Sequence, residues 1–486
     1  MEEDQDHISQ LPDSILRNIL SRLKTREAVR TSSVSTRWRY LWTTPTSLVF
    51  YAENMLEGND YSLLNLHQLS VRERYIIMMK RSVSFVCSVN HFLSHLREDH
   101  RIEKFKVYFT FSRNRYGAND LDHWVRFAIA REAEEVDLCL LEENDSSAPS
   151  NDEHYVFPCD FLVHNGAAGE FRSSLKCFRL AHCILAPSRY TFSCFRTITT
   201  LDLKKVNLVS DENIQNLLYN CHNIEWLSFS ECLNINYLKI EHPFCLQLKY
   251  LNVSDCQQLK AIELKGINLE TLEYKGCSIE IFFCNAPRLR TVFCHLSDWT
   301  ASPGKVWPLL RLPINVPQLE TLILECNFYF HMDGLMREKR LPPFPNLSRL
   351  IILKVAIMQE DLSWIATFLK ACPALQRFEL HLSSFVYIDE KLKKENWPSS
   401  CPHNHLKEVV ISGIHGYMSE IAIAVYLLKN ATSLERMTMD PRPRVYLGNG
   451  KWHVSEACEG WTTMARERVH QHLIQEGCPP DKLLIL

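Results

Sequence analysis

The chain has 486 residues, 46% of them hydrophobic and 23% charged, a composition typical of a folded protein with several domains or a repeat array. Lys and Arg number 54 against 57 Asp and Glu, so the net charge of −3 argues against general nucleic-acid binding. The acidic N-terminus has no apolar signal region, and apolar runs such as residues 350–358 are too short to span a bilayer. We therefore expect a protein of the nucleus or cytoplasm without membrane contact, whose 18 cysteines are free thiols.

The first predicted element is residues 11–42, LPDSILRNILSRLKTREAVRTSSVSTRWRYLW, which is unusually apolar for its length. Apolar side chains recur at helical spacing in two sets, namely Leu11, Ile15, Leu16, Ile19, Leu20 and Leu23, then Val34, Trp38, Leu41 and Trp42. A piece this short, without a cysteine, cannot bury so much apolar surface alone. We expect a neighbouring domain or a partner to cover part of it.

Residues 51–100 come next and predict a helical connection, with apolar positions at Ile76, Phe85, Val89, Phe92 and Leu96. The segments that begin at residues 102 and 133 look like degenerate opening copies of a repeat that is clearer further along the chain. Between them and the clear copies, residues 142–154 are polar, acidic and rich in turn formers, which predicts a loop inside the array.

The repeat has the form L-x-x-L-x-L, with conservative replacements. Eleven copies begin at Leu175, Ile198, Ile224, Leu248, Leu269, Leu289, Leu319, Leu347, Leu375, Leu406 and Leu434. Their spacing of 20 to 31 residues is that of leucine-rich repeats, stretched by insertions. Cys or Asn, which this repeat favours where the chain leaves the strand, stands three positions after five copies, at Cys183, Cys232, Cys256, Cys277 and Asn327. The pattern predicts an α/β solenoid with parallel strands on its concave face and helices and loops outside.

Two segments at the ends of the array carry a family resemblance. Residues 11–42 resemble an F-box, with Leu11–Pro12 at the entry, Ile15, Ile19 and Leu23 along one helix, and Trp38 further on. Residues 401–442 resemble the FBD region of plant F-box/leucine-rich-repeat proteins, with a strand, a helix bearing YLLKNA and an LE-x-M strand. The resemblance implies a three-helix F-box module at 6–50, a helical connection at 51–100, a solenoid at 101–400 and an FBD region at 401–486 that caps it.

The same resemblance implies a function. Such proteins dock through the F-box on the Skp adaptor of a cullin–RING ubiquitin ligase and hold a substrate protein with their repeats. They supply no catalytic group and need no cofactor. Their effect is to raise the concentration of substrate lysines near the charged ubiquitin-conjugating enzyme. An alternative is an interaction scaffold whose F-box binds the adaptor without delivering a substrate.

Family positions carried onto this chain predict the adaptor-binding residues, which are Leu11, Pro12, Ile15, Ile19, Leu23, Val34 and Trp38. In an alternative interpretation, Trp38 and Leu41 only pack the module against its own solenoid. Between residues 22 and 39, six basic residues accompany a single acid, Glu27, and either steer an acidic adaptor or form a solvated helix face.

Substrate-binding positions are predicted from the strand pattern, because the residues between the repeat leucines point away from the solenoid core. Read in order they are Asp202, Lys204, Ser228, Ser230, Asn252, Ser254, Glu273, Lys275, Phe293, His295, Ile323, Glu325, Ile351, Leu353, Glu379, His381, Val410 and Ser412. Four large apolar residues, Phe293, Ile323, Ile351 and Leu353, are the predicted substrate anchor. Alternatively, an insertion, residues 295–317 or 328–345, folds over them.

Other chemistry has little support in the sequence. The one-per-repeat placement of Cys232, Cys256 and Cys277 favours turn residues over a metal site, and residues 401–405, CPHNH, lack paired zinc-ligand spacing. His91 and His95 lack the glutamate of a zinc protease, and no phosphate-binding glycine loop or nucleophile elbow occurs. The short GIHG at 413–416 favours a turn over an RNA-binding loop. We therefore predict a protein that is not an enzyme and holds no metal.

Overall fold

The structure, a computed structural model, describes most of the chain. The described residues are 10–23, 46–56, 70–97, 101–110, 117–141, 154–162, 173–296, 312–325, 341–355, 364–382, 402–457 and 461–486, with single residues at 8, 27, 31, 37, 38 and 41. The chain forms two compact units, Met1–Leu238 with Phe244–Gln247, and Lys239–Pro243 with Leu248–Leu486. The division falls inside the predicted solenoid.

The first unit alternates helices with parallel strands. Its described helices and strands are α1 Asp13–Arg22, β1 Ser47–Tyr51, α2 Ala52–Met55, α3 Val71–Ser94, β2 Lys104–Thr110, α4 Ala118–Ala130, β3 Glu135–Leu141, β4 Tyr155–Val156, β5 Cys177–Ala181, β6 Cys183–Ile184, β7 Thr200–Lys204, α5 Asp211–Asn220 and β8 Trp226–Ser230. Strands β1, β2, β3, β5, β7 and β8 pair in parallel in that order. Aligned repeat positions form one buried row across them, Phe50, Val107, Leu138, Leu180, Leu203 and Phe229.

The predicted helical connection contains α3, which begins at a reciprocal cap. The Ser70 hydroxyl accepts a hydrogen bond from the Glu73 amide at 3.3 Å, and the Glu73 carboxylate accepts one from the Ser70 amide at 2.9 Å. Phe85 is buried and stacks on Phe109, with ring centroids 3.9 Å apart. Ile76 lies nine residues before Phe85, which places it on the opposite side of the helix, and it is 44% exposed.

The second unit continues the same pattern. Its described helices and strands are β9 Tyr237–Glu241, where the chain enters the unit, β10 Tyr250–Ser254, β11 Ala261–Lys265, β12 Thr271–Gly276, β13 Glu280–Cys284, β14 Thr291–Leu296, β15 Thr321–Glu325, β16 Arg349–Val355, α6 Trp364–Ala371, β17 Arg377–Leu382, β18 Glu408–Ser412, α7 Met418–Asn430, β19 Arg436–Asp440, β20 Arg444–Gly448, β21 Lys451–Val454, α8 Thr463–Gln475 and β22 Leu483–Ile485.

One parallel sheet organises the second unit, with strand order β10, β12, β14, β15, β16, β17, β18, β19 and β22. Its core row is Leu272, Val292, Leu322, Leu350, Phe378, Val409 and Met437, none of them more than 3% exposed. The opposite face, which we call the hairpin face, presents the row Glu273, Phe293, Ile323, Ile351, Glu379, Val410 and Thr438. The predicted array of parallel strands is confirmed. Of the three-helix module predicted at 6–50, the structure describes α1, and residues 24–45 lie largely outside the described residues.

The hairpin face takes its name from β20 and β21, which pair antiparallel with each other. Asn449 and Gly450 form the turn between them, with φ of 51° and 67°. Positive φ at both central residues is the conformation that a tight hairpin turn requires and that Asn-Gly adopts readily. The Ser455 amide donates to the Pro443 carbonyl at 3.0 Å and closes the other end of the hairpin.

A buried carboxylate organises the start of α7. Glu420 is 1% exposed and accepts hydrogen bonds from the amides of His415, Gly416 and Tyr417 at 2.8 to 3.1 Å. These amides precede the helix and have no carbonyl partner within it. The GIHG segment is therefore the loop that leads into α7, with Gly413 and Gly416 at positive φ.

We predict that Glu420→Ala lowers the free energy of unfolding by about 3 kcal/mol, because it leaves three amides, one buried and two half-buried, without their acceptor. Thermal unfolding followed by circular dichroism measures the loss. Met418→Ala is the matched control on the same helix, since Met418 is 48% exposed, and it should leave the midpoint nearly unchanged. Equal midpoints for the two variants would contradict the capping role.

A second buried carboxylate links three strands. Glu379 is 2% exposed and accepts hydrogen bonds from Arg349 Nε at 2.8 Å and Arg377 Nε at 2.9 Å, while Arg377 also contacts Glu408. Burial alone would raise the pKa of the Glu379 carboxyl, but His381 and the two guanidinium groups lower it to about 2. Glu379 is thus held ionised by one arginine of its own strand, β17, and one of the neighbouring strand, β16.

Because the pKa of Glu379 is lowered in the folded protein, the free energy of unfolding falls when the pH is lowered through the acidic range. The ion contributes fully above the ordinary carboxyl pKa of 4.5, and its contribution is lost as the pH falls towards about 2. Over that interval we predict that the free energy of unfolding falls by about 3 kcal/mol more in the natural chain than in Glu379→Gln. Urea unfolding at a series of pH values measures this, and Glu435→Gln is the control, because that side chain is 64% exposed. Parallel acid profiles for the natural chain and Glu379→Gln would show that the prediction is wrong.

Candidate functional site

Helix α1 separates its apolar side chains onto two faces. Leu16 and Leu20 are buried, as are Trp38 and Leu41 later in the segment. The residues predicted to bind an adaptor lie mainly on the other face: Ile15 is 46% exposed, Pro12 is exposed, and Leu11, Ile19 and Leu23 are half-buried. Trp38, at 5% exposure, belongs to the buried set, and Val34 lies outside the described residues. The start of α1 therefore presents apolar side chains to solvent beside buried ones.

Arg37 fixes the start of this helix. Its Nε donates to Asp13 Oδ1 at 2.9 Å, and its Nη2 donates to the Leu11 carbonyl at 2.7 Å. Asp13 lies in the first turn of α1, where a carboxylate is favoured by the helix dipole. At least one of the six basic residues in this segment thus has a structural role beside any role at a rim.

The four residues of the predicted substrate anchor are brought together. Phe293, Ile323 and Ile351 are paired neighbours on β14, β15 and β16, and Leu353 lies beside Glu325 on the next row. Together they form a cluster in which each side chain is only 1% to 7% exposed. The strand pattern therefore placed the cluster correctly, but in this structure it is not an open surface. Whether these residues bind a substrate stays a prediction.

The cover is the hairpin. Tyr446 on β20 and Trp452 on β21 pack against the cluster, and the rings of Tyr446 and Phe293 lie 5.1 Å apart. The two hairpin rings contact each other at 4.9 Å. The insertions that were the alternative cover, 295–317 and 328–345, lie largely outside the described residues.

A buried carboxylate receives the tip of the hairpin. Glu273 is 3% exposed, and its Oε1 accepts hydrogen bonds from the Tyr446 hydroxyl at 2.5 Å and from the Asn449 amide at 2.8 Å. Its Oε2 accepts one from the Tyr250 hydroxyl at 2.6 Å. Burial and this carboxylate raise the pKa of both tyrosines, so each hydroxyl remains a proton donor.

A second set of polar groups lies at the other end of the hairpin. Asp440, fully buried at the end of β19, accepts hydrogen bonds from Arg442 Nε at 2.9 Å and from Arg444 Nη2 at 3.4 Å. His381 packs on Trp452, with centroids 5.4 Å apart, and its Nδ1 lies 2.6 Å from the Ser412 hydroxyl. Burial lowers the pKa of His381 and favours its neutral form.

The hairpin was not predicted from the sequence, although a signal for it is present there. Residues 444–454, RVYLGNGKWHV, alternate around an Asn-Gly pair, which is the strongest short-range indication of a tight hairpin. Tyr446 and Trp452 alternate with outward side chains such as Leu447, which is 64% exposed. Local pattern thus predicts the hairpin, but not the strands that it covers.

No group of three His, Cys, Asp or Glu side chains in the described part of the chain is arranged to hold a metal ion. Cys232 and Cys256 are buried beside their strands, while Cys277 is exposed. Within the same residues, no helix combines the length and the apolarity needed to cross a bilayer.

Comparison with known proteins agrees with this geometry. Residues 8–50 match the F-box domain family, and residues 93–471 match the family described as At1g61320/AtMIF1, LRR domain. The Arabidopsis thaliana F-box/FBD/LRR-repeat protein At1g13570 is 32% identical over 457 residues, which cover 90% of this chain and 92% of that protein. A second, F-box/FBD/LRR-repeat protein At3g26920 of the same plant, is 24% identical and covers 89% of each chain.

Among solved structures, the crystal structure of a TLR13–ssRNA13 complex is 15% identical, with a TM-score of 0.34 over 73% of this chain and 52% of that one. The family-model matches and the full-length relatives carry the assignment. An F-box domain implies a Skp-type adaptor as partner, and proteins that combine it with leucine-rich repeats are typically adaptors without catalytic activity. The chain belongs to the family of plant F-box/FBD/leucine-rich-repeat proteins.

Proposed function

We propose that the protein is the substrate-recognition subunit of a Skp–cullin–F-box ubiquitin ligase in the nucleus or cytoplasm. The observation that carries the proposal is an apolar stripe at the start of α1 within the F-box segment, formed by Pro12 and Ile15, which are exposed, and Ile19, which is half-buried. Leu16, Leu20 and Trp38 are buried in this chain, whereas Ile15 stays 46% exposed and is available to a partner. Exposed apolar stripes of this kind are typical docking sites for a partner.

The mechanism needs no catalytic group from this chain and no cofactor. The adaptor links the F-box to the cullin and the RING protein, and the repeats hold the substrate. Holding both within one complex raises the effective concentration of substrate lysines at the ubiquitin-conjugating enzyme. Nucleic acid and membranes have no part in this proposal.

On the substrate side, we keep Phe293, Ile323, Ile351 and Leu353 as the proposed anchor, with one condition. Because Tyr446 and Trp452 now pack against them, a substrate has access only when the hairpin leaves the hairpin face.

The adaptor interface is tested with Ile15→Asp. Ile15 is 46% exposed and lies in the first turn of α1. The helix dipole favours a negative charge at that place, so an aspartate there should leave folding intact. We expect the charge to weaken binding to purified Skp-type adaptor by about 2 kcal/mol or more, as at an interface hot spot. Isothermal titration calorimetry measures the affinity.

Ser14→Asp is the matched control, since it adds the same charge at an adjacent exposed position outside the apolar stripe. It should bind the adaptor like the natural chain. Unchanged affinity in Ile15→Asp would remove α1 from the interface.

The buried Trp38 is tested separately. Because Trp38 is only 5% exposed, Trp38→Ala should lower thermal stability, as truncation of a buried tryptophan generally does. We also expect it to weaken adaptor binding by about 2 kcal/mol or more, through loss of support for α1. Calorimetry below the lowered melting temperature separates the two effects, and full affinity there would assign Trp38 to stability alone.

The ligase role is tested by affinity purification in the presence of a neddylation inhibitor. Recovery of adaptor and cullin with accumulating client proteins supports the proposal. Recovery of adaptor without cullin or clients would identify an interaction scaffold instead, and loss of the adaptor would refute both.

A further inference from the structure

We propose that the hairpin face is a binding site for a partner segment that carries tyrosine or tryptophan close to arginine, and that the β20–β21 hairpin of the chain itself occupies this site when no partner is bound. After the hairpin leaves, the partner segment makes the same contacts. The inference rests on the proposed function, because it names the chemical class of segment that the substrate-binding face accepts.

The first support is the way in which the hairpin is attached. Among the described strands, β20 and β21 pair only with each other, so side chains hold them to the hairpin face. Their outward side chains are open to water, with Leu447 64% and Val454 45% exposed. A two-stranded hairpin has marginal stability by itself. Its position therefore depends on the contacts of a few inward residues.

The second support is that the contacts between the hairpin and the hairpin face can be broken without stranding a buried charge. Glu273 is buried by the hairpin residues Tyr446 and Asn449, which also donate hydrogen bonds to it. Hydrogen bonds to water replace them when the hairpin leaves, so opening leaves no buried carboxylate without a donor. The exposed cluster of Phe293, Ile323 and Ile351 is then the main cost of the open state.

The third support is the chemical selectivity of the face. Its centre is apolar and accepts the ring of Tyr446, while Glu273 at one end accepts that ring's hydroxyl. Asp440 at the other end accepts Arg444, two positions before the tyrosine. Carboxylates at both ends favour arginine and hydroxyl donors and repel acidic segments. We therefore expect a partner segment to resemble the hairpin. It has an arginine, a tyrosine two residues later, and a second aromatic ring from a neighbouring strand.

Competition follows from this arrangement. A partner segment binds only the open fraction of molecules, so its apparent affinity equals the intrinsic affinity multiplied by that fraction. Weakening the hairpin therefore tightens binding in trans without any change to the face itself.

The experiment uses the full chain in complex with its adaptor and a fluorescent, backbone-cyclised peptide of residues 440–455. The opened variant is Tyr446→Ala with Trp452→Ala, and the control is Leu447→Ala with Val454→Ala, which changes the outward side of the same strands. We expect the opened variant to bind the peptide at least tenfold more tightly than the natural chain and the control. Equal affinities, or no binding to an opened variant that still unfolds cooperatively, would overturn the proposal.

Changes in the peptide test selectivity without altering the protein. Replacing its tyrosine and tryptophan with alanine should abolish binding to the opened variant, and replacing its two outward residues should not. Replacing the arginine two positions before the tyrosine with glutamate should weaken binding at least tenfold. If the peptide's affinity is unchanged both by replacing its tyrosine and tryptophan and by replacing this arginine, the proposed contacts are contradicted.

Hydrogen exchange on the natural chain gives a readout that needs no variant. The amides of Asn449 and Gly450, bonded to Glu273 and to the Tyr446 hydroxyl, should exchange well before the amides of β14 and β15. Exchange only together with those strands would mean that the hairpin does not separate, and the proposal would fail. Neither assay involves the cullin or ubiquitin transfer, so its result is independent of the test of the ligase role.

Discussion

Parallel pairing in register is the constraint on which the second unit depends. Side chains alternate between the two faces of each strand, and in-register pairing aligns equivalent positions of successive repeats into continuous rows. The row from Leu272 to Met437 is therefore buried as a whole, and the row from Glu273 to Thr438 faces the other way as a whole. Each side chain has its closest neighbours in two adjoining repeats, and those neighbours decide whether a charge is tolerated.

Two buried carboxylates on the hairpin face are tolerated because their neighbours donate hydrogen bonds to them. Glu379 is ionised between two arginines of adjacent strands, whereas Glu273 is held by two tyrosine hydroxyls and an amide. While the hairpin stays in place, substituting the donors of either carboxylate would leave a buried charge without partners, which costs far more than the pairs contribute. These residues consequently specify which strands and which hairpin side chains meet. They add less to the net free energy of folding than the apolar rows do.

The features that could be predicted from the sequence are those that recur in every repeat. The spacing of the motifs predicted the parallel sheet, and the alternation within each motif predicted that Phe293, Ile323 and Ile351 are neighbours. It could not identify their cover, because the bond from Tyr446 to Glu273 joins residues 173 positions apart and no periodic signal connects them. In α1, helical spacing found every apolar residue but not their division, since Ile15 and Leu16 are adjacent in sequence and only tertiary packing separates an exposed side chain from a buried one.

The two apolar surfaces of this chain differ in one physical respect. The stripe on α1 is exposed and narrow, and water tolerates a few scattered apolar side chains. The cluster of Phe293, Ile323, Ile351 and Leu353 is larger and lies on a sheet, where exposed apolar surface promotes association between chains. A site of that kind needs a cover while no partner is present. The cover must satisfy the same aromatic and carboxylate contacts, so an internal hairpin and an external ligand of this face are expected to share their chemistry.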